Sequence, residues 1–223
     1  MRIVVDAMGS DNRPGPDVAG AVLAAREMQA TLILVGDEAQ VRAELAKHDT
    51  AGLSLEVVHA GQVIEMTDSP TEAAKEKPNS SIHVGLGLVQ RGEADAFVTM
   101  GNTGAVLTIA TLFTLRRIRG VKRPALTAIF PHAAGRVVAA DIGANADVKP
   151  EYLAQFAVMA NAYARLVMGI NQPRVALLSN GEEEGKGNEL IKATIPLMRE
   201  LKGVNYIGNV EPKEVLNGAT DVV

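Results

Sequence analysis

Hydrophobic and polar positions follow two patterns along the chain, short apolar runs typical of buried strands and longer amphipathic stretches typical of helices. The short runs predict strands over residues 2–7, 31–36, 53–60, 94–100, 125–131, 136–143, 174–180 and 205–210. The longer stretches predict helices over residues 15–30, 37–48, 80–92, 102–118, 149–169 and 187–203. Residues 61–80 are polar and are predicted to be irregular, and the strands 125–131 and 136–143 could form a hairpin.

The alternation of strands and helices predicts an α/β fold with a doubly wound, mostly parallel sheet. We predict a single domain over residues 1–223. The final residues, GATDVV, look like the start of a further strand, so we expect the C-terminal part of the protein to be missing from this sequence.

Composition narrows the class of protein. Of the 223 residues, 47% are hydrophobic but only 3% are aromatic, so the core must consist of Val, Leu, Ile, Ala and Met. A net charge of −4 gives no overall basic field for nucleic acid. The absence of cysteine excludes disulfides and thiolate catalysis. No apolar run approaches the ~18 residues of a membrane span, and the N-terminus lacks a signal-peptide layout, so we expect a cytoplasmic protein.

Glycine-rich turns follow several of the predicted strands, where parallel α/β sheets bind their ligands. Glycine allows close backbone approach, and N–H groups at a helix start favour an anion. The turns are DAMGSD (6–11), MGNTGA (100–105), DIGANAD (141–147), SNGEEEGKG (179–187) and GNVE (208–211).

Two of these turns are alike, since FVTMGNTGA (97–105) and VVAADIGANAD (137–147) both end an apolar run in a small, Asn-bearing turn. Such a pair could hold two parts of one anionic ligand, with the Asn amides bonding a phosphate or a carbonyl. Neither a dinucleotide fingerprint nor a Walker-type loop occurs. For any single turn, ordinary turn chemistry remains the alternative.

Lysines in two loops are candidates for anion binding. Lys186 lies just before a helix, beside two glycines, and could neutralise a phosphate or polarise a thioester carbonyl. Lys75 and Lys77 precede a helix capped by Ser80 or Ser81, either as flexible surface charge or as an anion-contacting loop.

A basic stretch, LRRIRGVKRP, contains the cations Arg116, Arg117, Arg119, Lys122 and Arg123. They could complement the C-terminal dipole of a helix, or form a patch for an acidic partner or an anionic membrane surface.

Metal binding has little support in the sequence. The four histidines are scattered, and we interpret His83 as structural. Asp141 and Asp147 could bind Mg²⁺, but we favour a role in fixing their loop through N–H bonds. We predict no metal ion and no cofactor.

The order of several motifs resembles that of one family. These are VDAMGSD, MTDSP, KEKPNSS, MGNTGA, RPAL, DIGANAD, LLSNGEEEGKGNE and YIGNVE. Together they resemble the bacterial acyl-ACP:phosphate acyltransferases of phospholipid synthesis (the PlsX family), over essentially the whole chain. The resemblance implies a Rossmann-like α/β/α fold, akin to isocitrate-type dehydrogenases and phosphate acetyltransferases. It implies attack of inorganic phosphate on the thioester of acyl carrier protein, giving an acyl phosphate, and a homodimer found peripherally at the membrane.

The resemblance also implies roles for particular residues. Lys186 is the predicted catalytic residue, and Asn102, Thr103 and Asn145 would position phosphate or carbonyl. The predicted set for binding phosphate and the acyl substrate is Asp6, Gly9, Lys77, Ser80, Ser81, Gly101, Asn102, Thr103, Gly104, Asp141, Gly143, Asn145, Asn180 and Gly181. On charge alone, we predict that the basic stretch 116–123 receives the acidic carrier protein.

The sequence departs from the family pattern at three places. Thr99 and Met100 stand where the family usually has Ser-Ala, and Ser179 stands where it usually has Asn. The family also continues past Val223 into an Asp-Gly-Phe…Gly-Asn segment.

Three alternatives remain open. A phosphate acetyltransferase that uses coenzyme A could share the fold. An isocitrate-type dehydrogenase would need a metal-binding aspartate set and a nucleotide loop that we cannot place. A non-enzymatic scaffold that recruits lipid-synthesis enzymes to the membrane has only the basic stretch in its favour.

Overall fold

Four parallel strands form the sheet of the first part of the chain. In spatial order β3-β2-β1-β4, they are β1 (Arg2–Asp6), β2 (Thr31–Gly36), β3 (Leu55–His59) and β4 (Ala96–Val98). The computed structural model describes residues 1–183 and 185–223, which divide into two compact units, Met1–Arg117 and Ile118–Val223. Whether the chain is a single domain stays a prediction, because this division does not show that either unit folds alone.

Helical crossovers join the strands of the first unit, as parallel pairing requires. They are α1 (Gly15–Glu27), α2 (Glu38–Leu45), α3 (Pro70–Glu76) and α4 (Ser81–Gln90). After β4 comes α5 (Thr103–Thr108), which continues as a π-helical segment over Ile109–Phe113. Side-chain caps start α2, α4 and α5, since Asp37 accepts from the Gln40 N–H, Ser80 from the His83 N–H and Asn102 from the Ala105 N–H.

Strand β2 shows why this sheet lies between two layers of helices. Its side chains alternate in direction, so Leu32 and Leu34 pack with Val18 and Val22 of α1 on one face. On the opposite face, Ile33 packs in a second cluster with residues of β1 and α4. Both faces are therefore covered, which explains the continuous apolar run of β2.

The second unit combines a hairpin with a parallel strand pair. Its strands are β5 (Thr127–His132), β6 (Gly135–Ala140), β7 (Arg174–Leu178) and β8 (Asn205–Val210). Strands β5 and β6 are antiparallel, and β7 and β8 are parallel. Val222 forms parallel bridges with Val138 of β6 and Val175 of β7. The helices are α6 (Pro150–Leu166), α7 (Glu189–Glu200) and α8 (Pro212–Leu216).

The structure confirms the predicted α/β fold and the hairpin, and it corrects three elements. The helix predicted over 102–118 ends at Phe113, because the turn widens there and Arg116 takes a left-handed conformation with φ 66°. Helix α3 lies within the stretch predicted to be irregular, with a proline in its first turn. Helix α8 was not predicted. Throughout the described ranges, no helix is both long and apolar enough to cross a bilayer.

Candidate functional site

Asp6 ends strand β1 and organises the carboxyl edge of the first unit. Its buried carboxylate accepts hydrogen bonds from the Met8 backbone N–H at 3.0 Å and from Thr99 Oγ1 at 2.7 Å. Thr99 Oγ1 in turn accepts from the Gly101 N–H at 2.9 Å. This chain of bonds holds the turn after β4 against the turn after β1.

Burial raises the pKa of Asp6, because the charged form loses its hydration. Hydrogen bonds from Thr99, Ser81 and the Met8 N–H oppose that shift without cancelling it. The Asp6 carboxyl therefore holds a proton to higher pH than an exposed aspartate does.

Gly9 is required by the close approach of the two turns. A Cβ at this position would lie 2.8 Å from Thr99 Oγ1 and 2.9 Å from the Gly101 nitrogen. Three residues of the predicted binding set, Asp6, Gly9 and Gly101, are therefore in mutual contact at this edge.

Asn102 is the N-cap of α5 and also holds a neighbouring loop. Its Oδ1 accepts from the Ala105 N–H at 3.0 Å, and its Nδ2 donates to the carbonyls of Glu65 and Asp68, each at 3.2 Å. The amide is therefore engaged at both ends within the protein. Thr103, the next residue, is exposed.

Gly104 serves helix packing. A Cβ on Gly104 would lie 2.7 Å from Pro70 Cγ, so its absence lets α5 approach α3 closely.

Lys77, Ser80 and Ser81 lie around the start of α4. The Lys77 ammonium pairs with Asp68, and this hydrogen bond holds the pKa of the Asp68 carboxyl below its usual value. Ser80 is fully buried and caps the helix, so contact with a ligand would require the surrounding residues to move. Ser81 is also buried.

Asp141, just after β6, organises the matching turn in the second unit. Its carboxylate accepts from the N–H groups of Leu126, Gly143, Ala144 and Asn145, at 2.8, 3.2, 2.9 and 2.9 Å. Burial would raise the pKa of Asp141, but hydrogen bonds from Asn145, Ala144 and Leu126 outweigh it and the pKa is lowered. The carboxylate thus fixes its loop through N–H bonds, as we favoured from the sequence.

Asn145 and Gly143 shape the same turn. Asn145 Nδ2 donates to the Pro124 carbonyl at 2.9 Å and to Asp141 Oδ2 at 3.0 Å. Gly143 has φ 134°, a conformation that a residue with a side chain rarely adopts.

The loop after β7 brings three more predicted residues together. Asn180 Oδ1 accepts from the Gly187 N–H at 3.0 Å, which closes the loop. A Cβ on Gly181 would lie 2.6 Å from Lys186 Cγ, so the missing side chain makes room for the aliphatic stem of Lys186. Lys186 itself is exposed, just before α7.

A cavity of about 440 Å³, with both polar and apolar residues in its lining, lies at this loop. Its lining is Leu178, Ser179, Asn180, Gly187, Asn188 and Ile191. Asn188 caps α7 by accepting from the Ile191 N–H at 3.0 Å.

The five cations of the basic stretch are all exposed. They lie beyond Phe113, where α5 and its π-helical extension end, so the stretch is not the last turn of a helix. Helix-dipole effects fall off within the last turn of a helix. The interpretation that these cations complement a helix dipole therefore loses most of its support. Leu112, Leu115 and Ile118, which are close to the cations in sequence, are also exposed.

Two residues at these edges were missed as site candidates. Thr99 appeared only as a departure from the family pattern, yet it joins Asp6 to Gly101. Asn209, near the end of β8, is buried and donates to the Glu183 carbonyl at 3.4 Å, and its Oδ1 has no partner among the described residues. The sequence signal for Asn209 was its position after Gly208 at the end of a predicted strand.

Metal ligands are not clustered in the described part of the chain. Residues 1–183 and 185–223 contain no group of three or more His, Cys, Asp or Glu side chains that could hold a metal ion.

The fold and these edges define the class of protein. It is an α/β protein in which glycine- and asparagine-rich turns follow parallel strands. Its fold is similar to that of the EutD phosphotransacetylase from Staphylococcus aureus, with a TM-score of 0.68 and 19% identity, over 100% of this chain and 76% of that one. At this identity the likeness concerns the fold alone.

The chain belongs to the family described as fatty acid synthesis protein, whose model matches residues 1–223. It is 53% identical to a phosphate acyltransferase of Herpetosiphon aurantiacus and 51% identical to one of Geobacter sp. strain M21. Each match covers 100% of this chain, and 61% and 63% of those relatives. The chain thus spans a little over three fifths of their length. The resemblance noted from the motifs is confirmed.

Proposed function

We propose that the protein is a phosphate acyltransferase that makes an acyl phosphate from long-chain acyl-ACP and inorganic phosphate, the first step toward phosphatidic acid. The observation that carries this proposal is the match to phosphate acyltransferases along the whole chain. Membership of a fatty acid synthesis family supports the acyl substrate.

The proposed reaction needs positioning and charge stabilisation rather than a protein nucleophile. An oxygen of phosphate attacks the thioester carbonyl carbon, and the C–O bond forms as the carbonyl oxygen gains negative charge. The C–S bond then breaks, and the carrier sulfur leaves and takes up a proton. Because phosphate supplies the attacking oxygen, a covalent enzyme intermediate is unnecessary, which fits a chain without cysteine.

Lys186 is the proposed catalytic residue. Its exposed ammonium could offset the charge of phosphate or of the oxyanion, a contribution that is typically ~10²–10³ in rate. Its place in the loop after β7, next to Gly187 in the lining of the cavity there, supports this role.

The contacts of the other predicted residues separate those that shape the turns from those that could contact substrate. Asn102 and Asn145 use their amides within the protein, so we propose that they shape their turns rather than touch substrate. Thr103 is exposed and we propose it as a direct contact.

The central test is an assay of free ACP released from palmitoyl-ACP, with and without phosphate. Lys186→Ala should lower the phosphate-dependent rate about 100-fold or more. Lys202→Ala, which removes an exposed lysine beyond the other end of α7, is the matched control and should leave the rate unchanged. The proposal would be rejected if neither this chain nor a version as long as its relatives released free ACP in a phosphate-dependent way.

We further propose that the basic stretch receives the acidic carrier protein. Exposure of all five cations on a chain of net charge −4 supports it. Arg116→Glu with Arg119→Glu should weaken carrier binding, and more strongly at low salt. Unchanged affinity would refute this docking surface.

The proposal also includes a cytoplasmic homodimer in peripheral contact with the membrane or with a membrane acyltransferase. The exposed Leu112, Leu115 and Ile118, which are close to the cations in sequence, support a membrane contact. Light scattering would test the dimer, and flotation with anionic vesicles would test the contact.

A second candidate function is acyl transfer with coenzyme A as the carrier. The likeness in fold to a phosphotransacetylase favours it. Palmitoyl-CoA turnover without palmitoyl-ACP turnover would select this candidate.

A further inference from the structure

The loop over residues 179–187, which contains the proposed catalytic lysine, is fixed at both of its ends. At its start, the Ser179 N–H donates to the Val210 carbonyl of β8 at 2.9 Å. At its end, the Gly187 N–H donates to Asn180 Oδ1 at 3.0 Å. These two bonds leave the middle of the loop to be held by other contacts.

The middle of the loop is held through one backbone oxygen, the carbonyl of Glu183. This carbonyl accepts the backbone N–H of Lys186 at 2.9 Å, which closes a tight turn. It also accepts Asn209 Nδ2 in a longer bond of 3.4 Å. A single oxygen atom therefore joins the side chain of Asn209, from outside the loop, to the backbone of Lys186.

Asn209 is a rigid support for this turn. It lies in β8, where it pairs with Leu177 of the neighbouring parallel strand β7, and its side chain is buried. Groups on packed strands hold their partners more precisely than groups on loops do. The amide of Asn209 thus fixes the turn against the sheet.

Stability of the fold gives no reason for an amide at this position. Asn209 Oδ1 is buried and has no hydrogen-bond partner within the described residues. A buried acceptor without a partner is destabilising, and an apolar side chain of similar size would avoid that cost. Within the same residues, the bond to Glu183 is what the amide adds and a leucine would lack.

We propose that Asn209 is a positioning residue for acyl transfer, which holds the turn so that the Lys186 ammonium lies where negative charge develops. Stabilisation of a developing charge depends on groups that are already in place before the reaction. This inference rests on the proposed function, and it adds a residue that acts through Lys186 without touching substrate.

An ion pair offers a competing support for the loop. Lys213 Nζ lies 3.9 Å from Glu182 Oε1, and both side chains are more than half exposed. Lys213 is also closer to another partner, Glu211, at 2.7 Å. Exposed ion pairs contribute little to stability, so we favour the buried amide of Asn209 as the support.

The first test is limited digestion of the folded chain with trypsin, which cleaves after lysine. Mass spectrometry measures the fragment that begins at Gly187, and its rate of appearance follows how often the turn opens. Asn209→Leu should speed this cleavage roughly fivefold, the effect of about one hydrogen bond, without lowering the free energy of unfolding. Asn205→Leu, exposed at the start of β8, is the matched control and should leave the rate unchanged, as should Lys213→Gln.

The second test is a double-mutant cycle in the assay of free ACP release. Asn209→Leu alone should lower kcat roughly fivefold, again the effect of about one hydrogen bond. In a chain that already carries Lys186→Ala, it should cause no further loss, because Asn209 acts through that lysine. A merely structural role would lower kcat by the same factor in both chains.

Three outcomes would overturn the inference. These are an unchanged cleavage rate in a folded Asn209→Leu variant, faster cleavage on Lys213→Gln instead, or an equal loss of kcat with and without Lys186. If circular dichroism shows that Asn209→Leu does not fold, Asn209→Ala takes its place.

The inference and the proposed function can fail separately. Faster cleavage of Asn209→Leu in a protein without acyl transfer would keep Asn209 as the support of the turn and reject the acyltransferase function. Acyl transfer that depends on Lys186, with losses from the two substitutions that simply multiply, would keep the function and reject the role of Asn209.

Discussion

The two units each place an aspartate at the end of a strand, yet the two carboxyl groups are held in opposite ways. Asp6, the last residue of β1, is buried with one backbone N–H and the hydroxyls of Thr99 and Ser81 at its oxygens, and its pKa is raised. Asp141, after β6, accepts from four backbone N–H groups and one side-chain amide, and its pKa is lowered.

The difference shows that a shared sequence pattern does not fix the electrostatics of a turn. Both aspartates are followed by an apolar residue and, within three positions, by a glycine, in DAMG and DIGA. At Asp6, desolvation dominates because few donors reach it. At Asp141, the backbone folds around the carboxylate, and N–H donors stabilise the charged form.

The largest effect expected from this comparison is on the turn of the second unit. Asp141→Ala removes the acceptor of five hydrogen bonds and should lower the free energy of unfolding by about 3 kcal/mol, since bonds to charged groups are worth more than neutral ones. Chemical denaturation measures it. Asp147→Ala, an exposed aspartate of the same turn, is the control and should change stability by less than about 0.5 kcal/mol. If Asp141→Ala and Asp147→Ala lowered the free energy of unfolding equally, the hydrogen bonds to Asp141 would contribute little to stability.

The close approach in the first unit predicts the next effect. Gly9→Ala introduces a Cβ against Thr99 Oγ1 and the Gly101 nitrogen, and should cost about 2 kcal/mol. Gly20→Ala has no atom within 4 Å of its new Cβ, and should instead stabilise helix α1 by roughly 0.5–1 kcal/mol. Thermal unfolding of the two variants should therefore shift in opposite directions.

The hydroxyl that joins Asp6 to Gly101 predicts a smaller effect. Thr99→Val keeps the shape but removes the donor to Asp6, and should cost about 1.5 kcal/mol and raise the pKa of Asp6 further. Thr99→Ser keeps the hydroxyl and should remain within about 0.5 kcal/mol of the unchanged protein. If both variants lose the same stability, the methyl group and not the hydroxyl matters.

The opposite pKa shifts predict opposite pH dependence, the subtlest of these effects. A carboxyl with a raised folded pKa binds its proton more tightly when folded, so its contribution to stability falls as pH rises from about 3.9 through the folded pKa. A carboxyl with a lowered pKa contributes stability above about 3.9 that is lost as pH falls through the folded pKa.

Stability measured against pH for two variants tests these signs. Asp6→Asn should gain stability relative to the unchanged protein as pH rises from 4 to 7. Asp141→Asn should lose most at neutral pH and progressively less in acid. Parallel curves for either variant would contradict the assigned shift.

The sequence predicted the order of strands and helices well, because buried parallel strands are nearly continuous apolar runs. Strand β2, over Thr31–Gly36, is the clearest example. Helix α3 was missed because only Ala73 and Ala74 are buried, so its apolar periodicity is weak, although Ser69 and Pro70 gave a usable start signal.

The turns were also predictable as turns, but the partners of their side chains were not. Asn102 looks like a free amide in MGNTGA, yet the carbonyls of Glu65 and Asp68 bind it. Those carbonyls are distant in sequence, so only the folded chain shows that the amide is engaged. The same holds for Asn145 and the Pro124 carbonyl.

Val222, between β6 and β7, has a consequence for how the chain folds during synthesis. All four strands of the first sheet lie before residue 99, so that sheet can form early. Strands β6 and β7 receive Val222 only after some seconds more of translation, at about 5–20 residues per second. Until then the strand edges that Val222 covers lack this partner and are open to mispairing on the ribosome.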